Sequence, residues 1–210
     1  MARKKNSRSS NWLIRQERDK YVRKARQEGY RSRAAYKLEQ LHQRDRLFNT
    51  GDVVLDLGAS PGSWSQFAAQ SIGPRGRVVA VDMLPMKGIE RVDIVQGDIT
   101  QSETHRQIEK CLGPKGADLV ISDLAPNITG IKHVDQAQCI QLAEQARSLA
   151  LGTLKQNGRF VVKIFEGELA KEFRESTKAL FAQAFVRKPG ASRSVSSEIY
   201  IVALSPKDVF

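Results

Sequence analysis

The stretch from Val53 to Gln66 constrains this chain most, because the sequence pattern changes there from strand to turn to helix. Val53-Val54-Leu55 is a β-branched apolar run of the kind that forms a buried strand, and Asp56-Leu57-Gly58-Ala59-Ser60-Pro61-Gly62 reads as a tight turn. Ser63 can cap a helix running from Trp64 to Ser71. Gly58 and Gly62 remove side chains where a flat or extended ligand would approach the main chain, as at the first βα turn of nucleotide sites. A glycine turn after a strand is more often plain turn chemistry than a binding loop. Its meaning therefore depends on a second acidic residue at the right distance.

That residue is Asp82. Gly76 to Asp82 reads as a second strand ending in an acid, 26 residues beyond Asp56, where a fixed carboxylate can accept hydrogen bonds from two ribose hydroxyls. Val92 to Val95 is a third strand, followed by Gln96-Gly97-Asp98-Ile99 and a helical stretch from Gln101 to Leu112. Asp118 to Asp123 is a fourth strand that leaves through Leu124-Ala125-Pro126-Asn127 toward a helix over Asp135 to Leu154. Gly158 to Phe165, a helix over Glu168 to Ala184 and a closing strand over Glu198 to Leu204 complete the pattern. Strands alternating with helices predict an α/β fold with a doubly wound, mostly parallel, Rossmann-like sheet whose ligands sit at the carboxyl ends of the strands.

Charge divides the chain unevenly. Residues 1–50 hold 15 lysines and arginines against 5 acids, whereas residues 51–210 hold 19 against 18. Between Arg15 and Leu47 the pattern is helical and basic, with Gly29 dividing it into two helices. We therefore expect a basic RNA-contacting extension over residues 1–50 and a catalytic domain over 51–210. Met1 to Gln16 also has the composition of an organellar transit segment, and a solvated peripheral helix is the plainer reading of the basic region. Cys111 and Cys139 are isolated, which argues against both a disulfide framework and a zinc site, so no metal is expected. No apolar run approaches the length needed to span a bilayer, and the expectation is a cytoplasmic monomer that does not engage membranes.

The turn lacks the middle glycine that admits a pyrophosphate, so a nicotinamide cofactor, and with it an oxidoreductase, fits less well. An adenosine cofactor without phosphates, S-adenosylmethionine, needs a close backbone turn, a carboxylate for its ribose and a polar contact for its adenine. The Gly58 to Trp64 turn, with Gly62 and Trp64, together with Asp82 and Asp98, could supply these in strand order. Singly, Asp98 could instead cap a helix and Asp82 could be a turn residue. Lys163 interrupts the apolar run Phe160 to Phe165, where an unpaired buried charge would be costly. An edge strand would let it face solvent; the functional alternative sets it beside Asp123 on the neighbouring strand.

Five stretches carry a resemblance: Ser32-Arg33-Ala34-Ala35-Tyr36-Lys37-Leu38, Asp56 to Gln66, Ser122-Asp123-Leu124-Ala125-Pro126-Asn127, Val161-Val162-Lys163-Ile164-Phe165 and Ser197-Glu198-Ile199-Tyr200. Together, from about Arg31 to Leu204, they resemble the FtsJ family of ribose 2′-O-methyltransferases. The resemblance implies a catalytic tetrad at Lys37, Asp123, Lys163 and Glu198, a further cofactor contact from Asp123, and methylation of a uridine ribose in large-subunit ribosomal RNA. Ser60 and Ser63 stand where relatives often have alanine and glycine. A ribose hydroxyl is a poor nucleophile and needs a base where it attacks in line. Lys163 is the candidate proton acceptor: burial and a second cation favour a neutral amine, and nearby carboxylates oppose it. Transfer RNA methylation and a non-catalytic RNA-binding assembly factor are the competing readings.

Overall fold

The structure, a computed structural model, describes residues 19–193 and 195–207. The arm-or-transit reading of Met1 to Gln16 lies outside the described residues. Among the described residues two helices come first, α1 (Lys20–Glu28) and α2 (Ala35–Asp45). The Asp19 side chain accepts from the Tyr21 N–H at 3.0 Å to start α1, and Gly29 ends it at φ 77°, so this glycine divides the basic segment as expected.

Seven strands form one sheet. They are β1 (Val53–Leu57), β2 (Arg77–Asp82), β3 (Val92–Gln96), β4 (Ala117–Ser122), β5 (Leu154–Phe165), β6 (Phe181–Arg187) and β7 (Glu198–Pro206), in the order β3-β2-β1-β4-β5-β7-β6. The helices between them are α3 (Ser63–Ile72), α4 (Ser102–Leu112), α5 (Lys132–Thr153) and α6 (Glu168–Leu180). The first five strands run parallel, and β7 inserts antiparallel between β5 and β6.

Alternating residues along each strand serve two cores. Val54, Val78, Leu119, Ile121, Val161 and Val202 meet α2 and α3 through Leu38, Leu41, Trp64, Ala68 and Ile72. Their neighbours Leu55, Val79, Val120, Phe160, Val162 and Ile201 meet α4, α5 and α6 through Ile108, Ala143, Ala146 and Phe173. Covering both faces explains why the strands read as unbroken apolar runs. Each large side chain withdrawn from water contributes about 1.5–3 kcal/mol, which anchors both helical layers to the same sheet. Leu38, Leu41, Leu47 and Phe48 belong to the first of these cores, so the expected extension and domain share packing across the boundary at residue 50. No helix among the described residues is long and apolar enough to cross a membrane.

Two sequence expectations need correction, and one alternative is set aside. The helix expected to reach Ala184 stops at Leu180, and Phe181 to Arg187 is a strand; pairing with β7 overrides the helical propensity of this alanine-containing run. Ser63 does not cap α3: Gly62 occupies that position at φ 107°, and the Ser63 hydroxyl lies 2.7 Å from that of Ser32. Lys163 is not on an edge, because β5 lies between β4 and β7.

Candidate active site

Strand order reverses direction of growth between β1 and β4, and the crevice outside their carboxyl ends is where such sheets bind ligands. On one side lies the Gly58 to Gly62 turn. Gly58 has φ 76°, and a Cβ there would sit 2.8 Å from the Leu124 side chain. At Gly62 a Cβ would lie 2.6 Å from Ile89 Cδ1 and 2.8 Å from Arg31 Nη1. Both glycines have positive φ, so a side chain at either would be strained as well as crowded by these neighbours.

Asp82, at the end of β2, accepts from the Ser60 N–H at 2.9 Å and the Leu84 N–H at 2.8 Å. Each oxygen keeps a lone pair for a further donor. Beside it, Met83 and Leu84 are exposed large apolar side chains, a surface suited to a flat heterocycle. Asp98 accepts from the Thr100 N–H at 2.9 Å in its own turn and does not cap a helix, since α4 begins at Ser102. The Trp64 indole is buried in the core and donates to Ala34 O at 2.8 Å. What Trp64 still offers the crevice is its backbone N–H in the first turn of α3. This combination, an open glycine turn, an acceptor carboxylate and an apolar lip, fits an adenosine-bearing cofactor.

Under the turn, Asp56 is fully buried. Ser65 Oγ donates to its Oδ2 at 2.6 Å, and its Oδ1 has no partner. Burial, reinforced by the charges of Asp123 and Asp82, pushes this carboxyl up to about 7.

On the other side of the crevice Lys37, Asp123, Lys163 and Glu198 come together. Lys163, 4% exposed, donates to Asp123 O at 2.7 Å, and its Nζ lies 3.0 Å from Asp123 Oδ1. Lys37 Nζ donates to Glu198 Oε2 at 2.8 Å. The two pairs are joined by Tyr200, whose hydroxyl donates to Asp123 Oδ1 at 3.0 Å and whose ring centre lies 6.0 Å from Lys37 Nζ. Tyr200 stands opposite Lys163 in the β5–β7 register, and Glu198 opposite Phe165. Burial raises the Asp123 carboxyl, but Lys163 and Lys37 outweigh it and leave the group below its ordinary value. Burial and the charges of Asp123 and Glu198 drive the Tyr200 phenol well above its ordinary value, so it stays a donor.

In the sequence Tyr200 stands only as the last residue of Ser197-Glu198-Ile199-Tyr200, with no role of its own. The available signal was its position two residues after Glu198 on a strand, which sets both side chains on one face.

A cavity of about 350 Å³ opens beside Lys37 and Glu198 and is lined further by Ser32, Arg33, Arg193 and Val195. Arg33 pairs with Asp19 and donates to Ala191 O. Burial first, and then the adjacent charge of Arg193, lower the Arg33 guanidinium from its ordinary value. Three cations line this opening, two of them paired with acids, and the arrangement with Arg193 suits a polyanion.

A family model described as FtsJ-like methyltransferase matches residues 30–205. The chain is 48% identical to a ribosomal RNA large subunit methyltransferase E from Cellvibrio japonicus, over 96% of this chain and 95% of that protein. It is 46% identical to the protein of the same name from Azoarcus sp., over 96% and 98%. Among solved structures, a protein from Plasmodium falciparum assigned as a ribosomal RNA methyltransferase superposes with a TM-score of 0.77 at 26% identity, covering 84% of this chain and 98% of that one.

Proposed function

The chain belongs to the FtsJ-like methyltransferase family, and we propose that it uses S-adenosylmethionine to methylate the 2′-hydroxyl of a uridine ribose in large-subunit ribosomal RNA, acting in the cytoplasm as a single chain. The observation that carries this reading is the buried Lys163 amine, held at 2.7 Å and 3.0 Å by Asp123 at the end of the crevice, with the Lys37–Glu198 pair and a basic cavity alongside. The names of the relatives, which act on ribosomal RNA of the large subunit, support the substrate.

When bound, the cofactor supplies an electrophilic methyl group on a sulfonium centre. The Gly58 to Gly62 turn, the Trp64 N–H, Asp82 and Asp98 would hold it, with Met83 and Leu84 offering an apolar surface to its base. Arg33 and Arg193 hold phosphates of the RNA, and Lys37 sets the acceptor ribose in line. Lys163 takes the hydroxyl proton as the oxygen attacks. Asp123, fixed by Tyr200, steadies the resulting ammonium. Asp123 would also contact the cofactor, as the family resemblance implies, so that its carboxylate serves both ligands.

Lys163→Arg tests this directly, because arginine keeps the cation beside Asp123 but does not accept a proton at neutral pH. With Lys163→Ala as a second variant, binding of S-adenosylhomocysteine should persist while methyl transfer to unmethylated large subunits falls by about 10²–10⁴-fold. Turnover at the wild-type rate in Lys163→Arg would remove Lys163 as the base. Methylation appearing on transfer RNA in place of large subunits would overturn the substrate.

A further inference from the structure

Arg31 belongs to the basic segment, yet its guanidinium is committed to backbone carbonyls. Nη1 donates to Pro61 O and to Lys87 O, each at 2.9 Å, and Nη2 donates to Gly88 O at 2.7 Å. Pro61 lies in the turn after β1, while Lys87 and Gly88 lie in the connection after β2. These are the two lips of the cofactor crevice on either side of Asp82. One planar fork thus spans both, which a lysine ammonium could not do with the same geometry.

The link between α1 and α2, residues 29–34, is laced along α3 as well. Arg31 N donates to Gln66 Oε1 at 2.9 Å, and Gln66 Nε2 donates to Gly29 O at 3.1 Å. The Ser32 and Ser63 hydroxyls meet at 2.7 Å, and Trp64 Nε1 donates to Ala34 O at 2.8 Å. Gly62 is part of the same arrangement, since a side chain there would occupy the space of the Arg31 fork. Two residues further along, Arg33 lines the basic cavity. The three guanidinium bonds are solvent-exposed, so each is weak alone and the strap can release locally.

We propose that Arg31 is a positioning residue that couples the two ligands of the reaction: polyanionic RNA held at the cavity lined by Ser32, Arg33 and Arg193 steadies the 29–34 link, Arg31 then fastens both lips of the cofactor crevice, and each ligand tightens the other. This rests on the functional reading above only in taking RNA and S-adenosylmethionine as the ligands. Coupling of this kind is reciprocal, and ordering the link once serves both binding events.

The test uses the full chain, wild type against Arg31→Ala and Arg31→Lys, with folding checked by thermal melts. Affinity for S-adenosylhomocysteine is measured by calorimetry alone and in the presence of unmodified large-subunit ribosomal RNA transcript. In wild type the RNA should tighten S-adenosylhomocysteine about 10-fold, within the usual range of such couplings. In Arg31→Ala that gain should vanish, with RNA affinity in the absence of cofactor changed less than about 3-fold. Arg31→Lys should not restore it. Full coupling in Arg31→Ala, or none in wild type, would overturn the proposal. A wild-type chain that shows the coupling but transfers no methyl would defeat the reaction and leave the coupling intact; methyl transfer without coupling would do the reverse.

Discussion

Replacing Asp56 by asparagine should flatten the pH dependence of this protein's stability. The carboxyl is fully buried with Oδ1 unpartnered, and burial, together with Asp123 and Asp82, raises it from 3.8 to about 7. A carboxyl raised on folding keeps its proton in the native state at pH values where the unfolded chain has lost it. Its contribution is therefore fully present below about pH 4 and declines as pH rises, until it levels off above about pH 7. Each pH unit in that window is worth up to about 1.4 kcal/mol, so the decline from this single group totals about 4 kcal/mol. Asparagine cannot ionise and lacks this decline, although its amide nitrogen, left without a partner, carries a pH-independent cost of about 1–3 kcal/mol. Urea unfolding followed by circular dichroism from about pH 4 to pH 8 gives both curves. The variant should be the less stable protein at the acid end and should gain about 4 kcal/mol relative to wild type by the alkaline end. A difference that stays constant within about 1 kcal/mol, or that moves in favour of wild type as pH rises, would refute the reasoning.

Two further substitutions probe the frame around the site. Tyr200→Phe removes the hydroxyl that donates to Asp123; a loss of about 1 kcal/mol, seen as a melting temperature lower by about 2–4 °C, should accompany a fall of about 10-fold in methyl transfer, smaller than that of the Lys163 variants. Arg187 donates three bonds to Asp45, from Nε at 3.0 and 2.8 Å and from Nη2 at 2.6 Å, and so ties α2 to the edge strand β6. Arg187→Ala strands a largely buried carboxylate and should cost about 3 kcal/mol by calorimetry, and Arg187→Lys should not recover it.

Much of the fold was legible because its signals are local. An apolar run, a turn glycine and a helix-forming run in succession announce a βα unit without reference to anything distant, and Gly29 marks a helix end in the same way. Lys163 was legible as an anomaly, since a charge inside a buried run demands a partner and the neighbouring strand offers Asp123. Other features depend on partners remote in sequence. Phe181 to Arg187 becomes a strand only because β7 returns beside it, and the helical propensity of its alanines conceals that. Arg31 looks like one more phosphate-binding cation until the loops after β1 and β2 are seen to close on it. Asp56 reads as an ordinary turn acid, because only the assembled sheet removes it from water.

The insertion of β7 between β5 and β6 also has a consequence for biosynthesis. A ribosome delivers β5 and β6 before β7, yet β5 has only β4 beside it and β6 lacks its sheet neighbour until β7 enters the slot between them through registers with both. A nascent chain halted before residue 198 would carry unpaired strand edges, a state prone to misassembly, and would lack Glu198 and Tyr200. Completion of the sheet and assembly of the candidate site are thus a single late event.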